Sequence, residues 1–315
     1  VGCGLLAFAC QTNGRQACKE QTAIAEKNTS DEVLIQQQID ALRGKGGVIK
    51  LGTYGFEGLE AQQAPEEEPA KILKVSSVDG NTIICKVGEE SILLDIDSEI
   101  QGDGERNYEL WRAETYATKE PDTIEWINSF FQPGDVIYDI GANIGQYSLY
   151  AAKRLKGNCK IFAFETEALN YAKLNKNIVL NHLTASITAY CLAIADKMEL
   201  DVFYVQRFKP GAALHSWKKP STQGEKPFFP QNQQGMIAVS LDDLTGQFSL
   251  TFPNHIKIDV DGIEELIIDG ARNTLLDRRL KSVLVEVFMY KETASHIQEA
   301  FYKNGFRLHN AASID

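Results

Sequence analysis

The chain has 315 residues, 43% hydrophobic and 24% charged, which is ordinary for a globular protein with one large core and room for a smaller module. Its formal net charge of −11 argues against a general nucleic-acid binder, which would carry a basic stripe. No apolar run reaches the roughly 18 residues of a membrane-spanning helix, so no span is expected. Six cysteines (Cys3, Cys10, Cys18, Cys85, Cys159, Cys191) form neither a CxxC pair nor a zinc spacing, and read as free thiols of a reducing, cytoplasmic compartment.

In chain order, residues 4–10 (GLLAFAC) are short and follow no basic stretch, so they read as an ordinary small-residue segment rather than a leader. Residues 1–70 are small and polar and end in PEEEP at 65–69, an N-terminal extension closed by a solvated acidic linker. Inside it, Val33, Ile35, Ile39 and Leu42 recur at helical spacing, glycines break the pattern at 44–47, and 48–51 reads as a strand. This segment resembles the helix-plus-first-strand opening of parallel β-helix proteins of the pectate-lyase type. No repeat follows to stack on it, so no lyase activity is inferred.

Residues 71–114 hold the alternating runs KILKVSSV, NTIICKV and SILLDID, separated by turn signals at 79–81 and 88–90. They read as a small antiparallel β unit. From 115 to 315 apolar strands alternate with amphipathic helices. The expected strands are 136–140, 161–165, 186–191, 255–260 and 281–288; the expected helices are 121–131, 145–156, 167–180, 263–276 and 291–304. That order implies an α/β fold, a mostly parallel sheet with helices on both faces, whose ligands bind at the carboxyl ends of the strands.

The first strand runs into Asp139-Ile140-Gly141-Ala142-Asn143-Ile144-Gly145. A dinucleotide fingerprint needs glycine where Asn143 stands, and a P-loop needs lysine after its last glycine, where this chain has Gln146. Asp139 at the strand end would repel phosphate but suits a ligand with an ammonium and a sulfonium. Glu165 ends the next strand and can accept hydrogen bonds from both hydroxyls of a ribose. Together these residues point to S-adenosylmethionine.

Three blocks then occur in order: DIGANIGQYSLYAA, AFETEALNYAKLNKNIVLN and IKIDVDGIEELIIDGA, flanked by WRAETYATKEPDTIEW and QGMIAVSLDDL. Over about residues 105–290 the chain resembles the FkbM-type S-adenosylmethionine-dependent methyltransferases. The resemblance implies a class I methyltransferase (Rossmann-like) fold and O-methylation of a sugar or natural-product-like acceptor. It matches Asp139, Gly141, Ala142, Asn143 and Gly145 to the methionine-side loop and Glu165 to the ribose acid. Asp196 falls near the adenine edge, and Lys257, Asp259, Asp261, Gly262 and Glu264 match the fourth-strand motif. Thr166 stands where proline often follows the acid, and Ile263 where histidine often precedes Glu264. A sheet of this kind finishes with an antiparallel hairpin, and one edge strand is expected to be missing or supplied from elsewhere.

A hydroxyl acceptor must lose a proton, so a general base is sought. His215, in the long polar insertion 206–235, and Asp259 and Asp261 at the fourth strand end are the catalytic residues proposed. Asp259, Asp261 and Glu286 together offer oxygen ligands for Mg²⁺. The simpler reading is preferred: no metal, Asp259 at the cofactor or acceptor, and Asp261 capping the next helix. Tyr116 and Lys119 can close over the cofactor, and Phe228 and Phe229 can line an acceptor cleft. The partner expected is a small-molecule or glycan acceptor, with no nucleic acid and no membrane. The alternatives are a non-catalytic binding or structural protein carrying this domain, and a nicotinamide-dependent oxidoreductase, which Asn143 disfavours.

Overall fold

The computed structural model describes residues 48–56, 71–75, 81–96, 106–221, 226–288, 292–309 and 312–314. The expected helix around 33–42, the acidic run at 65–69, residues 4–10 and Cys3, Cys10 and Cys18 lie outside them. Val48–Asp315 is one compact unit.

Its strands are β1 (Val48–Phe56), β2 (Lys71–Val75), β3 (Thr82–Val87), β4 (Glu90–Asp95), β5 (Val136–Ile140), β6 (Lys160–Phe164), β7 (Ile187–Tyr190) and β8 (Ala193–Ile194). They continue as β9 (Glu199–Val205), β10 (Ser216–Trp217), β11 (Asn232–Val239), β12 (His255–Ile258), β13 (Ser282–Phe288), β14 (Phe306–Leu308) and β15 (Ala312–Ile314). The helices are α1 (Tyr108–Glu114), α2 (Pro121–Phe130), α3 (Gln146–Arg154), α4 (Ala168–Leu180), α5 (Leu241–Thr245), α6 (Glu264–Asp269), α7 (Arg272–Leu276) and α8 (Glu292–Lys303).

The main sheet has the order β14-β1-β13-β12-β5-β6-β7, with β15 also on β1. The run β13-β12-β5-β6-β7 is parallel throughout. β5 and β12 are buried along their whole length, as strands covered on both faces must be. This is the expected α/β fold with a mostly parallel sheet, and an additional small sheet precedes it. At its edge β1 runs antiparallel between β13 and β14. The edge strand looked for at the end of the chain is thus taken from the N-terminal zone, and the β-helix resemblance fails: β1 joins an open sheet. Boundaries near 70 and 114 remain our proposal; the pairing of β1 adds residues 48–56 to the sheet of the third domain.

Polar side chains lock the elements together. At the base of the sheet, His255 is held between Asp135 (3.0 Å) and Ser282 (2.6 Å), and the Trp126 indole N–H donates to the same serine oxygen at 2.9 Å. His255 and Ser282 are fully buried in this network, so His255 is structural, as the sequence suggested. The small sheet β2-β3-β4 is fastened to α4. The Asn177 side chain accepts from Asp95 N and donates to Ile144 O, and the Asn181 side chain exchanges two bonds with Leu93. Each buried bond of this kind contributes about 1 kcal/mol. Lys173 of α4 pairs with Asp95 at 2.5 Å and Glu109 at 2.7 Å, which ties α1 to the same anchor.

Two expectations change. The helix expected at 263–276 is two short helices that meet at Gly270 and Ala271, where a Cβ on Gly270 would lie 2.3 Å from the Ala195 carbonyl oxygen. The insertion 206–235 is not all loop. It contributes β10 and the start of β11 to a second sheet, β10-β9-β11-β8.

Candidate active site

Where β5 ends, Gly141 turns at φ +83°, and a Cβ there would sit 1.9 Å from the Asp259 backbone oxygen. Only glycine lets the ends of β5 and β12 lie this close. The N–H groups of Gly141 and Ala142 donate to Phe164 O at 2.9 and 3.0 Å, which holds the turn against β6. Asn143 takes φ +50°, a conformation asparagine tolerates. Its amide donates to Ala212 O at 2.9 Å and its side-chain oxygen accepts from Ile144 N at 3.0 Å. Gly145, at φ +94°, opens α3.

Glu165, one residue beyond β6, accepts from Asn143 N (2.7 Å) on one oxygen and from Glu167 N (2.8 Å) on the other. Each oxygen keeps a lone pair for a further donor. Burial outweighs these bonds and pushes its carboxyl up to about 7. Asp139 accepts from the Ser148 hydroxyl at 2.6 Å, while its other oxygen, Oδ1, is buried with no hydrogen-bond partner among the described residues. Burial raises this carboxyl too, although Lys257 and Ser148 pull the other way.

At the end of β12 the buried Lys257 ammonium lies 2.6 Å from Asp259 and 5.1 Å from the centre of the Tyr147 ring. Burial would lower its pKa, but Asp259, Asp139 and Glu120 outweigh it and hold the charge. Glu120, Asp259 and Glu286 bring one carboxylate oxygen each within 4.8 Å of one another. This differs from the trio weighed in the sequence, since Glu120 takes the place of Asp261. Lysines attend two members: Lys257 at Asp259, and Lys119 at Glu120 (2.5 Å).

Asp261 does not cap a helix. Its Oδ2 accepts from Leu214 N (2.5 Å) and His215 N (3.1 Å), while the N-cap of α6 is Ile263, with no side-chain cap bond. The carboxylate is used instead to pin the insertion to the strand end. Burial and the neighbouring Asp259 push Asp261 up to about 6. His215 accepts at Nδ1 from Gln206 N at 3.2 Å, and its Nε2 has no partner among the described residues. A backbone N–H can only donate, so the neutral ring carries its proton on Nε2. Burial and Arg112 push its pKa down to about 4. In this geometry His215 offers a proton rather than taking one.

These groups meet at a cavity of about 400 Å³. Gly141, Asn143, Glu165, Asp259, Asp261 and His215 line it. Asp139, Ala142 and Gly145 are buried and are not among its lining residues. Asp196 is not among them either: Leu192, Ala193 and Ile194 line that wall. Tyr116 is fully buried, its hydroxyl donating to Gln146 O, and Phe229 is 98% exposed, so neither faces the cavity. The sequence reading missed Arg106, Tyr108, Trp111, Arg112 and Arg207, which also line the cavity. Trp111 and Arg112 open the block WRAETYATKEPDTIEW, but no local motif marks Arg106, Tyr108 or Arg207, and Arg207 is about a hundred residues away from the rest.

The model of the FkbM methyltransferase domain matches residues 139–308, just over half of the chain. A hexuronic acid methyltransferase of Haloferax volcanii, AglP, is 26% identical over 57% of this chain and 66% of that protein. A 31-O-demethyl-FK506 methyltransferase of Streptomyces tacrolimicus is 27% identical over 50% of this chain and 66% of its own length. The match therefore spans just under two thirds of each relative. The crystal structure of a methyltransferase FkbM from Methylobacillus flagellatus aligns with a TM-score of 0.38 at 14% identity, over 62% of this chain and 48% of that one.

Proposed function

The chain belongs to the FkbM methyltransferase family, and we propose that it moves the methyl group of S-adenosylmethionine to a hydroxyl of a sugar or other natural-product-like acceptor. The acceptors in the names of the two distant relatives, a hexuronic acid and a demethylated FK506, support that class.

The residues present fit the cofactor. Gly141, Asn143 and Glu165 line one cavity, and Glu165 has a lone pair free on each oxygen beside the glycine turn. When bound, S-adenosylmethionine supplies a methyl group on a positively charged sulfur. Glu165 takes the ribose hydroxyls, and the turn from Gly141 to Gly145 sets the depth of the methionine end. Most of the rate then comes from holding the acceptor oxygen in line, which rigid strand ends do well.

Asp261 is the base we assign. With its carboxyl at about 6 it is largely ionised near neutral pH yet basic enough to take the acceptor proton. Asp259 is the poorer base because the Lys257 ammonium already stabilises its charged form at 2.6 Å. His215 donates from Nε2 to the acceptor and orients it.

The observation that carries this reading is Glu165 facing the same cavity as Gly141 and Asn143. Calorimetric titration with S-adenosylhomocysteine tests it, with NAD as the contrast. Saturable binding weakened by Glu165→Gln, and silence with NAD, is expected. Binding of NAD with no response to S-adenosylhomocysteine would overturn the assignment.

A further inference from the structure

Arg106, Arg112 and Arg207 line the cavity of a protein with a net charge of −11, and none of them has an ion pair among the described residues. A fourth cation there, Lys119, is already paired with Glu120 at 2.5 Å. Arg112 is only 7% exposed; its Nε donates to Gly211 O at 2.6 Å and its Nη1 reaches Gln146 at 3.4 Å. The carboxyls of Glu165 and Asp261 lie near enough to feel its charge but do not pair with it directly, so its guanidinium still has N–H groups to offer an anion.

The other two arginines are held by aromatic rings. Tyr108 and Trp111 stand three residues apart on α1 and so share one face of the helix. The Arg106 guanidinium lies 5.1 Å from the centre of the Trp111 ring, and that of Arg207 lies 5.8 Å from the centre of Tyr108, whose hydroxyl it also contacts. Such contacts hold a guanidinium in place but leave N–H groups unspent, suited to paired bonds with a carboxylate or phosphate. Of the four acids that line the same cavity, Glu165 and Asp261 are engaged by backbone N–H groups and Asp259 by Lys257; the fourth is Glu286.

S-adenosylmethionine brings one carboxylate. Arg112, bonded to Gln146 at the start of α3 beside the glycine turn, is placed for it. That leaves Arg106 and Arg207. We propose that the acceptor is itself an anion, a hydroxyl compound bearing a carboxylate or phosphate group that Arg106 and Arg207 grip beside Tyr108 and Trp111. The proposal rests on the methyl-transfer reading above.

The test is calorimetry on the full chain, first with S-adenosylhomocysteine alone, then on the saturated protein with glucose, glucuronate and glucose 6-phosphate. At least one anion should bind about tenfold or more tighter than glucose, with affinity falling as salt is added. Which anion binds identifies the group. The double variant Arg106→Gln/Arg207→Gln should lose about tenfold for that anion and leave S-adenosylhomocysteine affinity unchanged. Equal affinity for glucose, no binding of either anion, or an unaffected double variant overturns the proposal. So does a double variant that also loses S-adenosylhomocysteine, since the arginines would then serve the cofactor. Failure of the first titration strikes the methyl-transfer reading instead, and the anion titrations can still be read without the cofactor.

Discussion

Along residues 139–165 the cavity wall is made largely of backbone. Gly141 and Ala142 donate to Phe164, Asn143 and Glu167 donate to Glu165, and the turn admits no side chain at Gly141. Along 106–112 and 206–215 it is made of side chains: stacked arginines, two aromatic rings and an imidazole, brought together across about a hundred residues. The first wall is built into the turn and tied to folding; the second depends on side chains. A change in the first should therefore cost both stability and cofactor binding. In the second, at Arg106, Arg207 and His215, it should cost only what the acceptor feels.

The largest expected effect is at Gly141. Alanine there must displace the Asp259 backbone oxygen and adopt a left-handed φ as well. Overpacking and backbone strain together predict a loss of about 2–4 kcal/mol, read by urea unfolding, along with loss of S-adenosylhomocysteine binding. A Gly141→Ala protein with normal stability and binding would break the comparison, because the turn would not be rigid.

Next comes Glu165, where the two costs run in opposite directions with pH. Burial raises its carboxyl from an ordinary 4.5 to about 7. The folded protein therefore holds this proton more tightly than the unfolded chain. The stability it contributes is complete below about 4.5 and lost as pH rises through about 7. Cofactor affinity should rise over the same window, because the ionised carboxylate accepts both ribose hydroxyls. Glu165→Gln should bind S-adenosylhomocysteine about tenfold more weakly with a flat pH profile. A wild-type affinity that does not change with pH would show that Glu165 meets no donor from the ligand.

The contrast also explains what could be read in advance. The strands ending at Ile140, Phe164 and Ile258 fell close to expectation because a parallel strand buried on both faces is a continuous apolar run. Gly141, Asn143 and Glu165 were legible because a backbone-built wall keeps its residues close in sequence. Arg106 and Arg207 were not, since nothing local distinguishes a guanidinium stacked in a cavity from one in water. β1 was recognisable as a strand, but its place depended on pairing with β13, more than two hundred residues away. The role expected of His215 depended on one hydrogen bond: the Gln206 N–H at Nδ1 turns a proposed base into a donor.

His215 sharpens the comparison from the acceptor side. A donor at Nε2 is replaced in part by the amide of glutamine, whereas a base is not. His215→Gln should retain several-fold more methyl transfer than His215→Ala, with a loss for alanine of about tenfold. Both variants should bind S-adenosylhomocysteine normally. Equal loss in the two, with a pH profile that loses its acidic limb, would return the histidine to the role of base.

The smallest effect is expected at Asp196, which position in the chain places near the adenine edge. After β7 the chain leaves the main sheet. Ala193–Ile194 instead pairs in parallel with Ala238 and Val239 of β11. That turns Leu192, Ala193 and Ile194 towards the cavity and carries Asp196 past it, against Gly270, where an added Cβ would come within 2.9 Å of the Asp196 Cα. The wall met by an adenine here is therefore apolar, and its hydrogen bonds must come from backbone. Asp196→Ala should change stability by no more than about 0.5 kcal/mol and S-adenosylhomocysteine affinity by no more than about twofold. A tenfold loss would mean that the Asp196 carboxylate swings into the cavity when the ligand binds, and that this wall too is built from a movable side chain.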